Sequence, residues 1–245
     1  MSRTYATNPT SRTSRLADTV LPHRCAGCRQ LGAVLCEPCR TAIGTSPTTI
    51  VPGGITAALT FDGVVRSAIL GLKFRNRRAA ARALAQVLVR RLGLRGPGRP
   101  HYDLVTWAPT SRRRVADRGY DQAELLARAV AAELGVPCRR LLYRVHGAPQ
   151  VGRTRAERLA GPTFRGRPGR SPRVLVVDDV VTTGATLTAA GEALHQAGVR
   201  EVRLVAVAAT PARARLHAVP QVPAGGALRG GAPAREQAPG RLESA

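Results

Sequence analysis

Aromatic residues are scarce in this chain of 245 residues, with three Phe, four Tyr and one Trp making up 3% of it. Single-stranded nucleic acid is usually held by stacking its bases on such rings, so that mode of binding has little to work with here. Lysine is scarcer still. Lys73 is the only one among 38 cationic residues, against 15 acidic ones, for a net charge of +23. The charge suits a polyanionic partner such as nucleic acid, or an anionic substrate, and the almost exclusive use of Arg points equally to a compositional bias. No apolar run approaches the roughly 20 residues that span a bilayer. Residues 1 to 20 are Ser, Thr and Arg without the apolar core of a signal peptide, which leads us to expect a reducing, cytoplasmic setting.

Against these absences, residues 174 to 186 are dense in information: Val-Leu-Val-Val-Asp-Asp-Val-Val-Thr-Thr-Gly-Ala-Thr. Val174 to Val177 form a short β-branched run, the pattern of a strand buried on both faces of a parallel sheet. Open α/β sheets bind ligands at the carboxyl ends of such strands. Asp178 and Asp179 are expected at that end, where paired carboxylates can accept from vicinal sugar hydroxyls or approach a hydrated Mg²⁺. Thr182, Thr183, Gly184, Ala185 and Thr186 then lead into a helix expected through Leu187 to Ala197. Its free N–H groups, its dipole and the Thr hydroxyls suit a phosphate. These thirteen residues resemble the phosphoribosyl-pyrophosphate (PRPP) signature of type I phosphoribosyltransferases. A receiver domain also joins an apolar strand to an Asp pair, but it needs several further strand–helix units. Here one helix and the strand Val202 to Ala209 give way to Pro, Gly and Arg.

Cys25, Cys28, Cys36 and Cys39 follow the spacing C-x2-C-x7-C-x2-C. Two such turns bring four thiolates to one ion, which reads as a closed, structural Zn²⁺ site with no open position for water. Two disulfides are the alternative, disfavoured in a reducing compartment. His23 reads as solvated and Cys138 as a small core residue.

Between these landmarks strands and helices alternate. Thr56 to Phe61 and Asp103 to Trp107 read as strands, and Val64 to Leu72, 78 to 93 and Gln122 to Leu134 as helices, the last with Leu125, Leu126, Ala129 and Val130 inward and Gly135 as its C′ residue. Lys73 is a candidate point charge for phosphate. Ala108 to Arg114 and Arg118 to Gln122 read as a basic, hydroxyl-bearing loop in which Arg112 and Arg118 could neutralise a leaving diphosphate. Residues 1–20 and 211–245 read as disordered tails, the second basic; 21–48 as the metal knuckle; and 50–210 as the α/β domain, with a core separate from the knuckle.

Taken together, Cys25 to Thr210 resembles the ComF family of competence-associated phosphoribosyltransferase-like proteins. The residues that carry the likeness are the paired CxxC turns, Phe61-Asp62-Gly63 through Lys73-Phe74, Trp107-Ala108-Pro109, Arg118-Gly119-Tyr120-x-Gln122, Gln150, Arg155-x-x-Arg158 and the Asp178-Asp179 signature. The family usually has Arg-Gly-Phe-Asn-Gln where this chain has Arg118-Gly119-Tyr120-Asp121-Gln122. Tyr keeps the aromatic packing, and Asp121 adds negative charge beside the basic loop. The Asn common after Arg158 is replaced by Gly161.

The resemblance implies a type I phosphoribosyltransferase-like parallel sheet flanked by helices, with a small N-terminal zinc knuckle. It also implies transfer of a phosphoribosyl group from PRPP with Mg²⁺, catalysis carried by Asp178 and Asp179, and a link to DNA uptake and the competence machinery. A non-catalytic protein that holds single-stranded DNA in the same fold is the competing expectation. Because neighbouring carboxylates repel each other, replacing Asp178 and Asp179 together by Asn is expected to leave the fold unharmed.

Overall fold

The computed structural model describes residues 24–74, 79–98, 101–145, 162–167 and 173–211. The expectations for His23, residues 1–20 and 212–245, and the motif positions Gln150, Arg155, Arg158 and Gly161 fall outside them. Along the chain come α1 (Glu37–Gly44), β1 (Thr49–Val51), β2 (Ile55–Thr60), α2 (Gly63–Phe74), α3 (Ala80–Arg91), β3 (Leu104–Trp107) and α4 (Arg112–Arg118). They are followed by α5 (Gln122–Leu134), β4 (Leu142–Arg144), β5 (Phe164–Gly166), β6 (Arg173–Val181), α6 (Ala185–Gln196) and β7 (Glu201–Ala209).

Five strands form a sheet in the order β1-β2-β7-β6-β3, and β4 with β5 forms a separate antiparallel pair. Strands β2, β7, β6 and β3 run parallel, while β1 is antiparallel to β2. The unbroken apolar runs of β6 and β7 arise because both faces are covered. Leu175, Val177, Val205 and Val207 pack with Ile69, Leu72, Leu88 and Leu126 from α2, α3 and α5. Val174, Val176 and Ala206 pack on the other face with Leu187 and Leu194 of α6 and with Leu142 and Phe164 of the β4–β5 pair. Each fully buried Leu in these layers contributes about 1.5–3 kcal/mol.

Helix α5 matches its expected bounds. Asp121 caps its start, and Gly135 closes it at φ 73°, a left-handed conformation that glycine adopts without strain. Its buried stripe runs through Ala123, Leu126, Ala127, Val130 and Ala131, with Leu125 and Ala129 at the margin. Other elements differ from expectation. Strand β6 continues past Val177 to Val181, so the acidic pair lies within the strand rather than beyond it. Part of the expected basic loop is helical: α4 begins where the Ser111 hydroxyl accepts the Arg114 N–H. Strand β1 lies outside the expected elements, although Thr49, Ile50 and Val51 precede the turn Pro52-Gly53-Gly54, with φ of 86° and 72° at the two glycines. Cys138 is half-buried beside β3, where the Val105 N–H donates to Pro137 and Arg139 donates back to Val105, covering the edge of the sheet.

The knuckle does not keep a core of its own, contrary to expectation. Cys25, Ala26, Leu35, Cys39 and Ile43 belong to the same apolar cluster as α2 and α3. Arg91 locks the junction by donating to the carbonyls of Gly44 (2.7 Å), Ala58 (3.1 Å) and Ser46. At Gly27 a Cβ would stand 2.6 Å from Val64 Cγ1 and 2.8 Å from Cys39 Sγ, so only glycine lets the first cysteine turn reach α2. Gly27→Ala should therefore lower the melting temperature of the whole domain, by about 1–3 kcal/mol of overpacking, in one transition followed by circular dichroism. Two separate transitions would mean that knuckle and domain fold independently.

Candidate functional site

The chain changes sides between two neighbouring strands. The segment after β3 leads to α5 on one face of the sheet, whereas the turn after β6 leads to α6 on the other. A crevice opens at the carboxyl ends of strands wherever neighbouring connections diverge in this way. It is deepened by unequal lengths: pairing between β3 and β6 stops at Trp107 and Val177, while β6 runs on beside β7 to Val181. The resulting cleft, about 380 Å³, is lined by Lys73, Thr110, Arg114, Arg118, Asp121, Gln122, Arg144, Asp178, Asp179 and Thr186, among others.

Of the residues singled out in the sequence, Lys73, Arg118, Asp178, Asp179 and Thr186 line this cleft. Thr182 and Thr183 lie exposed in the adjoining turn, where the Thr183 hydroxyl accepts the Ala185 N–H at 3.3 Å. Gly184 is buried with φ 85°, and a Cβ there would meet Ile55 Cδ1 at 2.9 Å. The hairpin above it, as well as its backbone conformation, therefore requires glycine. Ala185, half-buried, starts α6. Arg112 is exposed on α4 and outside the cleft lining, and Arg114, two residues on, lines it instead. Thr110, Arg114 and Gln122 lie in the stretch read as a basic loop but were not singled out in it, and Arg144 was not chosen from the sequence. Nothing in a run of arginines says which of them face inward, and Arg144 is placed only by the β4–β5 pair.

The acidic pair is electrically asymmetric. Lys73 Nζ lies 2.8 Å from Asp179 Oδ1, with both side chains largely withdrawn from solvent at 21% and 11% exposure. Asp178 accepts the Asp179 N–H at 2.7 Å. Burial first, then the neighbouring Asp179 charge, push the Asp178 carboxyl from 3.8 up to about 8. The two carboxyls therefore resist ionising together, and Lys73 stands against the Asp179 side of the pair.

Asp121, expected to add negative charge beside the basic loop, lines the same cleft and is also a structural cap. Its carboxylate accepts N–H donors from Ala123 (3.0 Å) and Thr110 (2.9 Å), tying the loop after β3 to the start of α5. Burial raises its pKa, while these same hydrogen bonds pull it back. Tyr120 does more than fill space, since its hydroxyl donates to the Leu72 carbonyl one residue before Lys73.

At the other end of the chain, the Sγ atoms of Cys25, Cys28, Cys36 and Cys39 lie within 4.8 Å of one another, with Cys28 and Cys36 3.5 Å apart. A tetrahedron with metal–sulfur bonds of about 2.3 Å sets its sulfurs about 3.8 Å apart, so these four fit a single structural metal ion. The Cys36 N–H points at Cys25 Sγ (3.4 Å). Burial opposes ionisation of Cys25, but this N–H and those of Cys28 and Gly27 outweigh it and bring the thiol down to about 6.

The asymmetry of the acids changes what their replacement should do. Asp178 holds its proton more tightly folded than unfolded, so its contribution to stability declines as pH rises from about 4 to about 8. Asp178→Asn should leave the melting temperature unchanged or raise it, with a gain that grows over that pH range. Asp179→Asn strands the Lys73 ammonium and should cost about 1–3 kcal/mol. The double replacement should therefore combine these two opposite effects, where simple repulsion alone predicts an unharmed fold. Melts of the two single variants at several pH values check both signs.

A family profile described as "Phosphoribosyl transferase domain" matches residues 121–220. Among curated proteins, the chain is 30% identical over 140 residues to the "DNA utilization protein YhgH" of Salmonella typhi, covering 54% of this chain and 62% of that protein. It is 32% identical over 101 residues to the "Competence protein ComFC" of Bacillus subtilis (strain 168), covering 40% of each. The match thus spans less than two thirds of either relative. Among solved structures, an allosteric regulatory enzyme of purine biosynthesis shares 21% identity over 54% of this chain and 26% of its own, with a TM-score of 0.37. The profile and the competence-protein relatives agree with the cleft on a parallel sheet and the four-cysteine knuckle: residues 121–220 match a phosphoribosyltransferase domain, and the chain is similar to competence and DNA utilization proteins over part of its length.

Proposed function

We propose that the protein binds PRPP or a closely related ribose phosphate together with Mg²⁺, in a cytoplasmic role linked to DNA uptake, and that it is a phosphoribosyltransferase. The observation that carries this reading is the cleft where β6 outlasts β3, with an acidic pair on one wall, basic side chains on the other and the Thr-rich start of α6 beside them. Asp178 and Asp179 would accept from the ribose hydroxyls, and the Thr182–Thr186 turn would take the 5′-phosphate at the start of α6. Lys73, Arg114 and Arg118 would face the diphosphate, where fixed cations stabilise the charge that grows as it leaves.

Asp178, the carboxylate not engaged by Lys73, is the oxygen ligand to which Mg²⁺ and its water shell would turn once the proton is lost. Bound there, the ion would neutralise diphosphate charge. No side chain needs to form a covalent bond. The residues hold the sugar so that a nitrogen nucleophile can displace pyrophosphate from C1.

Calorimetric titration with PRPP, with and without Mg²⁺, tests the reading. Saturable binding that strengthens with Mg²⁺ and weakens about tenfold or more in Asp178→Asn is expected. Arg112 and Arg113 project exposed from α4 beside the cleft, and they favour the second reading, a non-catalytic grip on single-stranded DNA. If PRPP fails to bind while single-stranded DNA binds with an affinity that falls steeply with salt, that reading replaces the first.

For the knuckle, we infer Zn²⁺ from the four thiols. Purified protein should carry about one zinc per chain, and chelation should lower the melting temperature of the entire domain because the cysteine turns share its core. Elemental analysis without zinc would remove this inference.

A further inference from the structure

Among the described residues, two buried side-chain polar atoms lack a hydrogen-bond partner: Thr49 Oγ1 and Gln122 Nε2. Their settings differ. Thr49 lies in the edge hairpin, outside the cleft lining, whereas Gln122 lines the cleft while only 2% exposed. An amide nitrogen withdrawn from water without a partner destabilises the fold, and an apolar side chain of similar volume would avoid that cost. Helix formation does not call for Gln122 either, because Asp121 already caps α5. A group kept at such a cost beside a ligand-sized cleft is accounted for when the ligand supplies the missing acceptor.

We propose that Gln122 Nε2 donates a hydrogen bond to a diphosphate oxygen of the bound sugar, and so selects a sugar 1-diphosphate over the same sugar without it. The inference rests on the reading that a phosphorylated ribose occupies the cleft. An amide nitrogen only donates, so its partner must be an acceptor, and a diphosphate is the most acceptor-rich part of such a ligand. The placement agrees. Gln122 follows Asp121, whose carboxylate binds the Thr110 N–H, so the start of α5 is tied to the loop after β3. That loop leads directly into α4, which carries Arg114 and Arg118 to the same cleft. A neutral donor also adds a contact without disturbing the balance between Lys73 and Asp179, as another cation would.

The test is calorimetric titration of the full chain with inorganic pyrophosphate, PRPP and ribose 5-phosphate, each with Mg²⁺. Wild type is compared with Gln122→Leu, Gln122→Met and the control Thr49→Val, alongside thermal melts. Both Gln122 variants should bind pyrophosphate and PRPP about ten- to a hundredfold more weakly, keep their affinity for ribose 5-phosphate, and melt at or above the wild-type temperature. Thr49→Val should bind all three as wild type does. Unchanged PRPP affinity in Gln122→Leu and Gln122→Met overturns the proposal, as does failure of both variants to fold, which would make Gln122 a packing residue. Wild type that binds pyrophosphate but not PRPP sinks the ribose-phosphate reading alone, since the Gln122 contact is still read on pyrophosphate. Wild type that binds neither sinks both.

Discussion

Everything at the site depends on one mismatch in length. Strand β3 stops pairing at Trp107, and β6 continues beside β7 to Val181. Had the two strands ended together, the Asp178 and Asp179 backbone would have been flanked on both sides and the loop after β3 would have closed over it. Instead that loop turns away, held by the Thr110 N–H on the Asp121 carboxylate. The same divergence sends α5 and α6 to opposite faces, so a crevice is the necessary product of the topology.

The contents of that crevice are balanced rather than merely basic. The whole chain carries a net charge of +23, yet Lys73 is committed to Asp179, and burial beside the Asp179 charge pushes the Asp178 carboxyl up. Two adjacent carboxylates in a largely buried strand do not readily ionise together without a compensating charge, and the only lysine of the chain supplies it for one of them. A compact ammonium fits there, where a planar guanidinium would need a wider space. Tyr120 steadies the turn that carries this lysine through its bond to the Leu72 carbonyl.

The four-cysteine knuckle is mechanically continuous with the α/β domain. Gly27 admits the first cysteine turn against Val64, Cys39 and Ile43 enter the core cluster, and Arg91 reaches the carbonyls at the end of α1. Since α2 begins at Gly63 and carries Lys73 near its far end, a helix anchored by the knuckle also positions the cleft's ammonium. Metal site and cleft are thus two ends of one packed layer.

By itself the sequence determined the local pieces. The four-cysteine spacing, the apolar strand with its two acids, the Thr-Thr-Gly-x-Thr turn, and helix α5 with its Asp121 start and Gly135 stop could all be read from residues close together in the chain. So could the family likeness that those motifs carry. Tertiary structure decided the rest. The partnership of Lys73 with Asp179, the capping role of Asp121, the entry of Arg114 rather than Arg112 into the cleft lining and the unpaired amide nitrogen of Gln122 depend on strand order and on which strand ends first. The short strand β1 escaped because three residues are too few for a periodic signal. The reason is general to such sheets: hydrogen bonds along the chain are set by local pattern, whereas the pairing of buried charges is set by contacts between segments that only the assembled sheet brings together.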